Sequence, residues 1–81
     1  MYTVYILFSK SLGRYYVGFT NDLDRRLSEH NRKKGKYTDM GIPWEVVYTE
    51  KYTTKLEAME RESFIKLKKS REYIEQLIAN R

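Results

Sequence analysis

The chain has 81 residues, no cysteine, one histidine and a formal net charge of +5. This length predicts one small domain, residues 1–81, that buries only about 60% of the surface its unfolded chain exposes. The absence of cysteine excludes disulfides, thiolate metal sites and cysteine nucleophiles. No apolar run approaches the roughly 20 residues that span a bilayer, and the first residues lack the features of a signal peptide. We therefore expect a cytoplasmic protein with no membrane partner.

The positive charge is concentrated in two clusters of the sequence. One contains Arg32, Lys33, Lys34 and Lys36, and the other contains Lys66, Lys68, Lys69 and Arg71. Such clusters raise the local concentration of polyanions and are typical of nucleic-acid-binding proteins. A solvated basic surface without a partner is the alternative. The residues predicted to contact nucleic acid are Arg32, Lys33, Lys34, Lys36, Lys66 and Lys69.

The first two elements form a predicted β-hairpin. Residues 2–8 and 14–19 are rich in β-branched and aromatic side chains, and the intervening segment contains a glycine. The register of this hairpin decides how the hydroxyls of Tyr5 and Tyr16 are placed. If the two tyrosines lie opposite each other they share a face, whereas a one-residue slip separates them. The sequence alone leaves the register open.

A short helix is predicted to follow and to run to His30, with Thr20 or Asn21 as its N-cap. Leu23 and Leu27 form its apolar stripe. The polar residues beside this stripe therefore lie near the edge of the core.

The two adjacent arginines of this helix are not equivalent. Arg26 lies beside the apolar stripe and Arg25 points nearly the other way, toward solvent. His30 is one turn beyond Arg26 on the same side. Arg26 could clamp a phosphate or pair with Glu29 or Glu62. His30 could act as a general base or hold the tyrosines in place, or it could make a plain polar contact.

The second half of the chain predicts a loop, a strand and two helices. Residues 31–42 are polar and basic and predict a loop that ends at Pro43. Residues 44–48 predict a third strand that extends to Lys51 or Tyr52. Thr54 and Glu57 form a capping box that starts a helix running to about Lys69.

The apolar residues of this helix occupy two sides, which predicts a helix sandwiched between the sheet and a last helix that is capped by Ser70. One side contains Ala58, Met59 and Ile65, and the other contains Leu56, Phe64 and Leu67. The buried stripe of the last helix contains Tyr73, Ile74, Leu77 and Ile78.

Glu62 shares the helical face of Ala58 and Ile65, so its carboxylate should point toward the protein body. A carboxylate there requires a cation, hydrogen bonds or a proton. A divalent metal is one answer, because Mg²⁺ accepts one or two carboxylates together with waters and substrate phosphate. An ion pair with a nearby arginine or lysine is the other. Periodicity does not single out Glu62, since Glu60 has a comparable place on the second apolar side.

These residues and their order along the chain resemble the GIY-YIG endonuclease family, in particular its small stand-alone bacterial branch. The matching elements are Thr3-Val4-Tyr5, Tyr16-Val17-Gly18, Arg26, His30, Arg61-Glu62 with Ile65-Lys66, and the run from Tyr37-Thr38 through Pro43-Trp44-Glu45-Val46-Val47-Tyr48. The resemblance implies an α+β fold in which helices flank a three-stranded antiparallel sheet, in the order β-β-α-β-α-α.

The resemblance also implies roles for single residues. Glu62 would bind one divalent metal ion, Mg²⁺ or Mn²⁺, and Arg26 would contact the scissile phosphate. Tyr5, Tyr16 and His30 would orient or activate the attacking water. The implied function is a metal-dependent DNA endonuclease in repair or processing, acting on branched, damaged or otherwise irregular DNA with a targeting protein for specificity. The alternative is a nucleic-acid-binding module on the same fold with weak or no cleavage.

Two positions depart from the family pattern. Thr3 stands where the first triplet has glycine. The helix that follows the glutamate helix lacks the asparagine of many family nucleases. Gln76 is the nearest amide there, and Asn80 lies at its end. The second departure favours the binding module.

Overall fold

The computed structural model describes residues 1–81, apart from the side chain of Thr38. Within this range the strands are β1 (Tyr2–Ser9), β2 (Arg14–Thr20) and β3 (Trp44–Tyr52). The α-helices are α1 (Leu23–His30), α2 (Lys55–Lys68) and α3 (Arg71–Ala79). The predicted α+β class and the order β-β-α-β-α-α are confirmed. In the part of the chain that is described, no helix is long and apolar enough to cross a membrane.

The sheet is antiparallel with the strand order β2-β1-β3, so β1 is the central strand. Four consecutive residues of β1, from Val4 to Leu7, are at most 1% exposed. Their side chains alternate between the two faces, because successive residues of a strand point to opposite sides. Both faces of β1 are therefore covered, which explains why its sequence is a continuous apolar run.

On one face, α2 and α3 cover the sheet. The buried residues of this cluster are Val4, Ile6, Val17, Ala58 and Ile65. Tyr73, Ile74 and Leu77 of α3 pack against the cluster and are partly buried. The predicted inner stripe of α2 is thus confirmed for Ala58 and Ile65.

On the other face, Tyr5, Leu7 and Trp44 form a second buried cluster that α1 covers through Leu23 and Leu27. Asn31 joins the end of α1 to the start of β3. Its side-chain amide donates to the Trp44 carbonyl at 3.0 Å, and its side-chain oxygen accepts from the Trp44 amide at 2.6 Å. These two bonds hold the end of α1 over the face of the sheet that carries Tyr5 and Leu7.

The predicted N-cap of α1 is wrong. The cap is Asp22, whose side chain accepts from the Arg25 amide at 3.1 Å. Thr20 still pairs with Thr3 in the β-ladder, and its hydroxyl accepts from the Asp22 amide at 3.0 Å. Because β2 runs one residue further than predicted, the helix begins later.

The predicted loop of residues 31–42 contains a short 3₁₀ helix, Tyr37–Gly41. The carboxylate of Asp39 accepts hydrogen bonds from the amides of Lys34, Gly35 and Lys36, the shortest at 2.6 Å. The basic segment is therefore folded around an internal acceptor.

The prediction that α2 is sandwiched between two layers is also wrong. Leu56, Phe64 and Leu67 are 63%, 45% and 75% exposed. Met59, which was predicted on the inner side, is 42% exposed. The reason is that α3 packs against the same sheet face as α2 and does not cover the outer side of α2. The outer apolar residues of α2 therefore remain at the surface.

A polar network ties α2 to β3. Arg61 binds the Glu50 carboxylate with both ends of its fork, Nε to Oε1 at 2.8 Å and Nη2 to Oε2 at 3.0 Å. The Tyr52 hydroxyl donates to Oε1 at 2.7 Å, and the Tyr48 hydroxyl donates to Oε2. Burial raises the pKa of Glu50, but the hydrogen bonds from Arg61, Tyr48 and Tyr52 outweigh it and lower that pKa to about 2.

We expect Glu50→Gln to lower the free energy of unfolding at neutral pH by about 3 kcal/mol, because Arg61 would be left without its charge partner. The folded-state pKa of Glu50 is depressed from 4.5 to about 2. Its contribution is therefore complete above pH 4.5 and is lost as the pH falls toward 2. Urea unfolding as a function of pH should show this acid loss in the wild type and a weaker dependence in the variant.

Glu45→Gln is the matched control, because Glu45 pairs with Lys10 at 3.9 Å on the exposed surface. It should change stability by less than about 0.5 kcal/mol. Equal destabilisation by both substitutions would contradict the assigned role of the network.

Candidate active site

The register of β1 and β2 places both site tyrosines on one face of the sheet. Tyr5 lies opposite Gly18, and Tyr16 lies opposite Leu7. The tyrosines are therefore not directly opposite each other, but their offset of two residues preserves the face. Both rings contact His30, with centroid distances of 4.6 Å from Tyr16 and 6.4 Å from Tyr5.

Tyr5 occupies space that only glycine leaves free on β2. A Cβ atom on Gly18 would lie 2.5 Å from the Tyr5 hydroxyl oxygen and 2.7 Å from Cζ. The phenol ring thus lies against the Gly18 backbone, and the residue Tyr5 is 1% exposed. Burial, with a smaller effect of Tyr16, raises the pKa of Tyr5 to about 12. The hydroxyl therefore keeps its proton at neutral pH and is a hydrogen-bond donor.

His30 ends α1 and is partly buried among aromatic rings. Its ring meets Tyr16 edge-on and lies 6.4 Å from the ring of Trp44. Burial lowers the pKa of His30 from 6.5, and the positive charges of Lys34 and Arg26 lower it further. The imidazole is therefore neutral at neutral pH and able to accept a proton.

Arg26 carries a buried donor that lacks an acceptor. Its Nε atom is buried without a hydrogen-bond partner among the described residues. The Glu29 carboxylate lies 3.6 Å from it, so the ion pair with Glu29 that was the alternative to phosphate binding is present, although this distance is too long for a good hydrogen bond. An unpaired buried donor costs about 1–3 kcal/mol, so this position favours an added anionic oxygen. Arg25 is exposed, as predicted.

Glu62 reaches the site from the opposite side of the sheet. Its side chain is 19% exposed, and its Oε2 lies 3.6 Å from Lys66 Nζ. The predicted inward orientation is confirmed, and the ion pair with a lysine that was the alternative to a metal is also present. Glu60 is exposed. The structure thus distinguishes two glutamates that periodicity did not.

These side chains meet in a cleft of about 430 Å³ at the edge of β2. Its lining includes Tyr5, Tyr16, Arg26 and Glu62, together with Gly18, Asn21 and Lys55. His30 adjoins the cleft through its contact with Tyr16. The predicted catalytic residues and the predicted metal ligand are therefore brought together, while their roles stay predictions.

Asn21 and Lys55 are among the cleft residues that were not predicted as site residues. From the sequence, Asn21 was interpreted only as a helix cap and Lys55 only as part of the capping-box sequence. The sequence around each residue therefore indicated a structural role and gave no sign of a role in a site. Asn21 supplies an amide within the cleft. By contrast, Gln76 and Asn80 line a separate depression beside Tyr48.

The donor set restricts the kind of metal site the cleft can form. Among the described residues, no three or more His, Cys, Asp or Glu side chains gather as metal ligands. Glu62 offers one carboxylate from the cleft wall. Mg²⁺ often takes one or two carboxylates and completes its shell with water and substrate phosphate. The residues present fit such an ion and do not fit a cage made of protein ligands.

The residues predicted to bind nucleic acid form two separate groups on the surface. Arg32, Lys33, Lys34 and Lys36 are exposed and follow α1. Lys66 and Lys69 line a second groove, and Tyr16 belongs to the lining of both the groove and the cleft. The second cluster therefore adjoins the cleft, whereas the first cluster supplies none of the described residues that line it.

A family comparison agrees with this site. The model of the GIY-YIG catalytic domain matches residues 1–74. The chain therefore belongs to the GIY-YIG family, a family of nuclease domains.

Particular relatives are small proteins named UPF0213. The chain is 45% identical over 58 residues to a UPF0213 protein of Streptococcus pneumoniae serotype 4, an alignment covering 70% of this chain and 59% of the relative. It is 44% identical over 66 residues to UPF0213 protein YazA of Bacillus subtilis, covering 76% and 67%. The match therefore spans about three fifths to two thirds of these relatives' own lengths.

A solved structure has the same fold. The solution NMR structure of a UPF0213 protein from Bacillus halodurans superimposes with a TM-score of 0.62 at 34% sequence identity. The superposition covers 100% of this chain and 86% of that chain.

We expect Gly18→Ala to displace the Tyr5 ring, because the added methyl group would overlap its hydroxyl. The cost should be about 1–3 kcal/mol of stability, with a change in the NMR signals of Tyr5 and His30. Gly13→Ala is the control, since its Cβ would meet nothing within 4 Å and only its φ of +63° is unfavourable. Unchanged Tyr5 signals in Gly18→Ala would contradict the close contact.

Proposed function

We propose that the protein is a metal-dependent DNA endonuclease that hydrolyses phosphodiester bonds in the cleft at the edge of β2. The observation that carries the proposal is the arrangement around Arg26. Arg26, whose buried Nε has no hydrogen-bond partner among the described residues, lines the same cleft as the largely buried Glu62 and two tyrosines. A phosphate oxygen would satisfy the guanidinium, and a divalent ion would satisfy the carboxylate.

Arg26 and Glu62 would bind the reacting group. The planar guanidinium of Arg26 would hold oxygens of the scissile phosphate and stabilise the charge that grows on them. Glu62 would hold Mg²⁺ or Mn²⁺, and when bound this ion supplies Lewis-acid polarisation of the phosphate and stabilisation of the leaving oxygen. Lys66, now 3.6 Å from Glu62, would have to give up part of that pairing.

Tyr5, Tyr16 and His30 would manage the attacking water. Its oxygen forms a bond to phosphorus, the bond from phosphorus to one sugar oxygen breaks, and the water loses a proton. The neutral imidazole of His30, in contact with the Tyr16 ring, would accept this proton. Tyr5 keeps its own proton and would donate a hydrogen bond to the water or to a phosphate oxygen.

The substrate proposed is DNA of irregular structure, branched or damaged, as in repair or processing. The exposed side chains of Lys33, Lys34 and Lys36 would contact phosphates, which carry no sequence information. Binding should therefore be salt-sensitive and weakly sequence-selective. Specificity beyond this would come from a targeting protein.

A second candidate is a nucleic-acid-binding module with weak or no cleavage. The observation that favours it is the position of Gln76 and Asn80, which line a depression away from the cleft. The amide of Asn21 is the counterargument, because it lies in the cleft itself.

Metal-dependent nicking tests the two candidates. Supercoiled and branched DNA would be incubated with the protein and Mg²⁺ or Mn²⁺. We expect Glu62→Gln and Arg26→Ala each to reduce the rate by about 100-fold or more, the size expected for removing a transition-state contact.

Two neighbours on the same helices serve as controls. Glu60→Gln and Arg25→Ala alter exposed side chains outside the cleft and should retain cleavage within a few-fold. Equal nicking by wild type and Glu62→Gln would contradict the nuclease proposal. A salt-dependent gel shift without cleavage would select the binding module.

The pH dependence of cleavage should report the state of His30. A base must be unprotonated, and the pKa of His30 is lowered from 6.5. The midpoint of the acid limb should therefore lie below pH 6.5. The pKa of Tyr5, about 12, predicts no loss of rate from its ionisation in the mildly alkaline range.

His30→Ala should slow cleavage by about 100-fold or more and remove the acid limb of kcat/KM. An acid limb centred above pH 6.5, or one that survives in His30→Ala, would contradict the assignment of His30 as the base.

A further inference from the structure

A second groove of about 830 Å³ adjoins the cleft of about 430 Å³. It lies between the turn that joins β1 to β2 and the junction of α2 with α3. Tyr16 lines both spaces. A strand whose phosphate lies in the cleft can therefore continue into the groove without leaving the protein surface.

The groove combines an apolar floor with a cationic rim. The apolar surface of the floor comes from the partly buried Leu12, Tyr15 and Ile74, which lie beside the buried Val17 and Ile65. The cations are Arg14, Lys66, Lys69 and Arg71. A site for phosphate alone requires no apolar floor, and a site for an apolar ligand requires no cations. A nucleotide has both an anionic phosphate and an apolar base face.

The four cations are not equally available. Arg71 donates to the Gly13 carbonyl at 2.6 Å and to Glu75 at 3.2 Å, so it fixes α3 to the β1–β2 turn. Lys66 lies 3.6 Å from Glu62. Arg14 and Lys69 are exposed at the rim. They are the cations placed to meet an incoming phosphate.

We propose that this groove is a subsite for the nucleotide that flanks the scissile phosphate. Lys69 and Arg14 contact the phosphate of this nucleotide, and its base lies on the apolar floor. The identity of the ligand rests on the proposed nuclease function, but binding in the groove requires neither the metal nor cleavage.

NMR titration in EDTA tests the subsite. The probes are a thymidine oligonucleotide of four nucleotides and an abasic analogue with the same phosphates. With the thymidine probe, amide signals of residues 12–17 and 66–74 should shift. The abasic analogue should bind about fivefold or more weakly, because stacking of each base contributes substantially to single-strand affinity. It should also leave the Val17 and Ile74 signals nearly unchanged.

Two adjacent lysines provide the matched variants. Lys69→Ala should weaken both probes by about threefold or more at low salt, because one phosphate contact is lost. Lys68→Ala should leave affinity nearly unchanged, since Lys68 lies over the Phe64 ring, 4.8 Å from its centroid, and outside the groove lining.

Three results would overturn the subsite: shifts confined to the cleft and residues 32–36, equal affinity for the thymidine and abasic probes, or equal losses in Lys68→Ala and Lys69→Ala. Because no metal is present, the outcome is separate from that of the nicking assay. Cleavage without groove shifts refutes the subsite alone, and groove binding without cleavage refutes the nuclease alone.

Discussion

The contact between the Tyr5 ring and the Gly18 backbone is the constraint on which the site depends. Tyr5 belongs to the buried cluster with Leu7 and Trp44, yet it also lines the cleft. A side chain that is both core and site is held by packing and cannot sample many rotamers. Any residue larger than glycine at position 18 would occupy the space of the hydroxyl. The same packing that stabilises this face of the sheet therefore fixes one of its reactive groups.

The edge of the sheet explains how so short a chain assembles groups from two layers. Arg26 and His30 belong to α1 on one face, and Glu62 belongs to α2 on the other. The central strand separates these faces completely, because its residues are buried on both sides. Only beyond an edge strand can side chains from both layers meet, and β2 is such a strand. Gly18 and Tyr16 on β2 consequently line the cleft, whereas β3 contributes its polar side chains to a stabilising network.

Local periodicity predicted which way helical side chains point, so Arg26 was separated from Arg25 and Glu62 was placed inward. Periodicity could not predict features that depend on contacts between distant parts of the chain. These are the offset register of Tyr5 and Tyr16, the position of β2 at the edge of the sheet, and the pairing of Glu50 with Arg61. The N-cap was misplaced because Thr20, Asn21 and Asp22 all have capping side chains. The ladder pairing of Thr20 removes it from the choice, and the side chain of Asp22 makes the capping hydrogen bond. The prediction that α2 is sandwiched was wrong because an apolar stripe on a helix does not reveal whether another element covers it.

Arg61 and Glu62 are adjacent in α2 but have different surroundings: Arg61 belongs to a stabilising network, and Glu62 lines the cleft. Successive helical residues point about 100° apart, so Arg61 reaches Glu50 on β3 while Glu62 reaches the cleft at β2. The first position is fully engaged, with a bidentate ion pair and two tyrosine hydroxyls on the same carboxylate. The second is held by a long contact to Lys66 and lines the same cleft as Arg26, whose Nε has no hydrogen-bond partner in the described part of the chain. A satisfied network holds the helix in place while the neighbouring residue presents a weakly paired carboxylate, which is the state that a divalent cation can exploit.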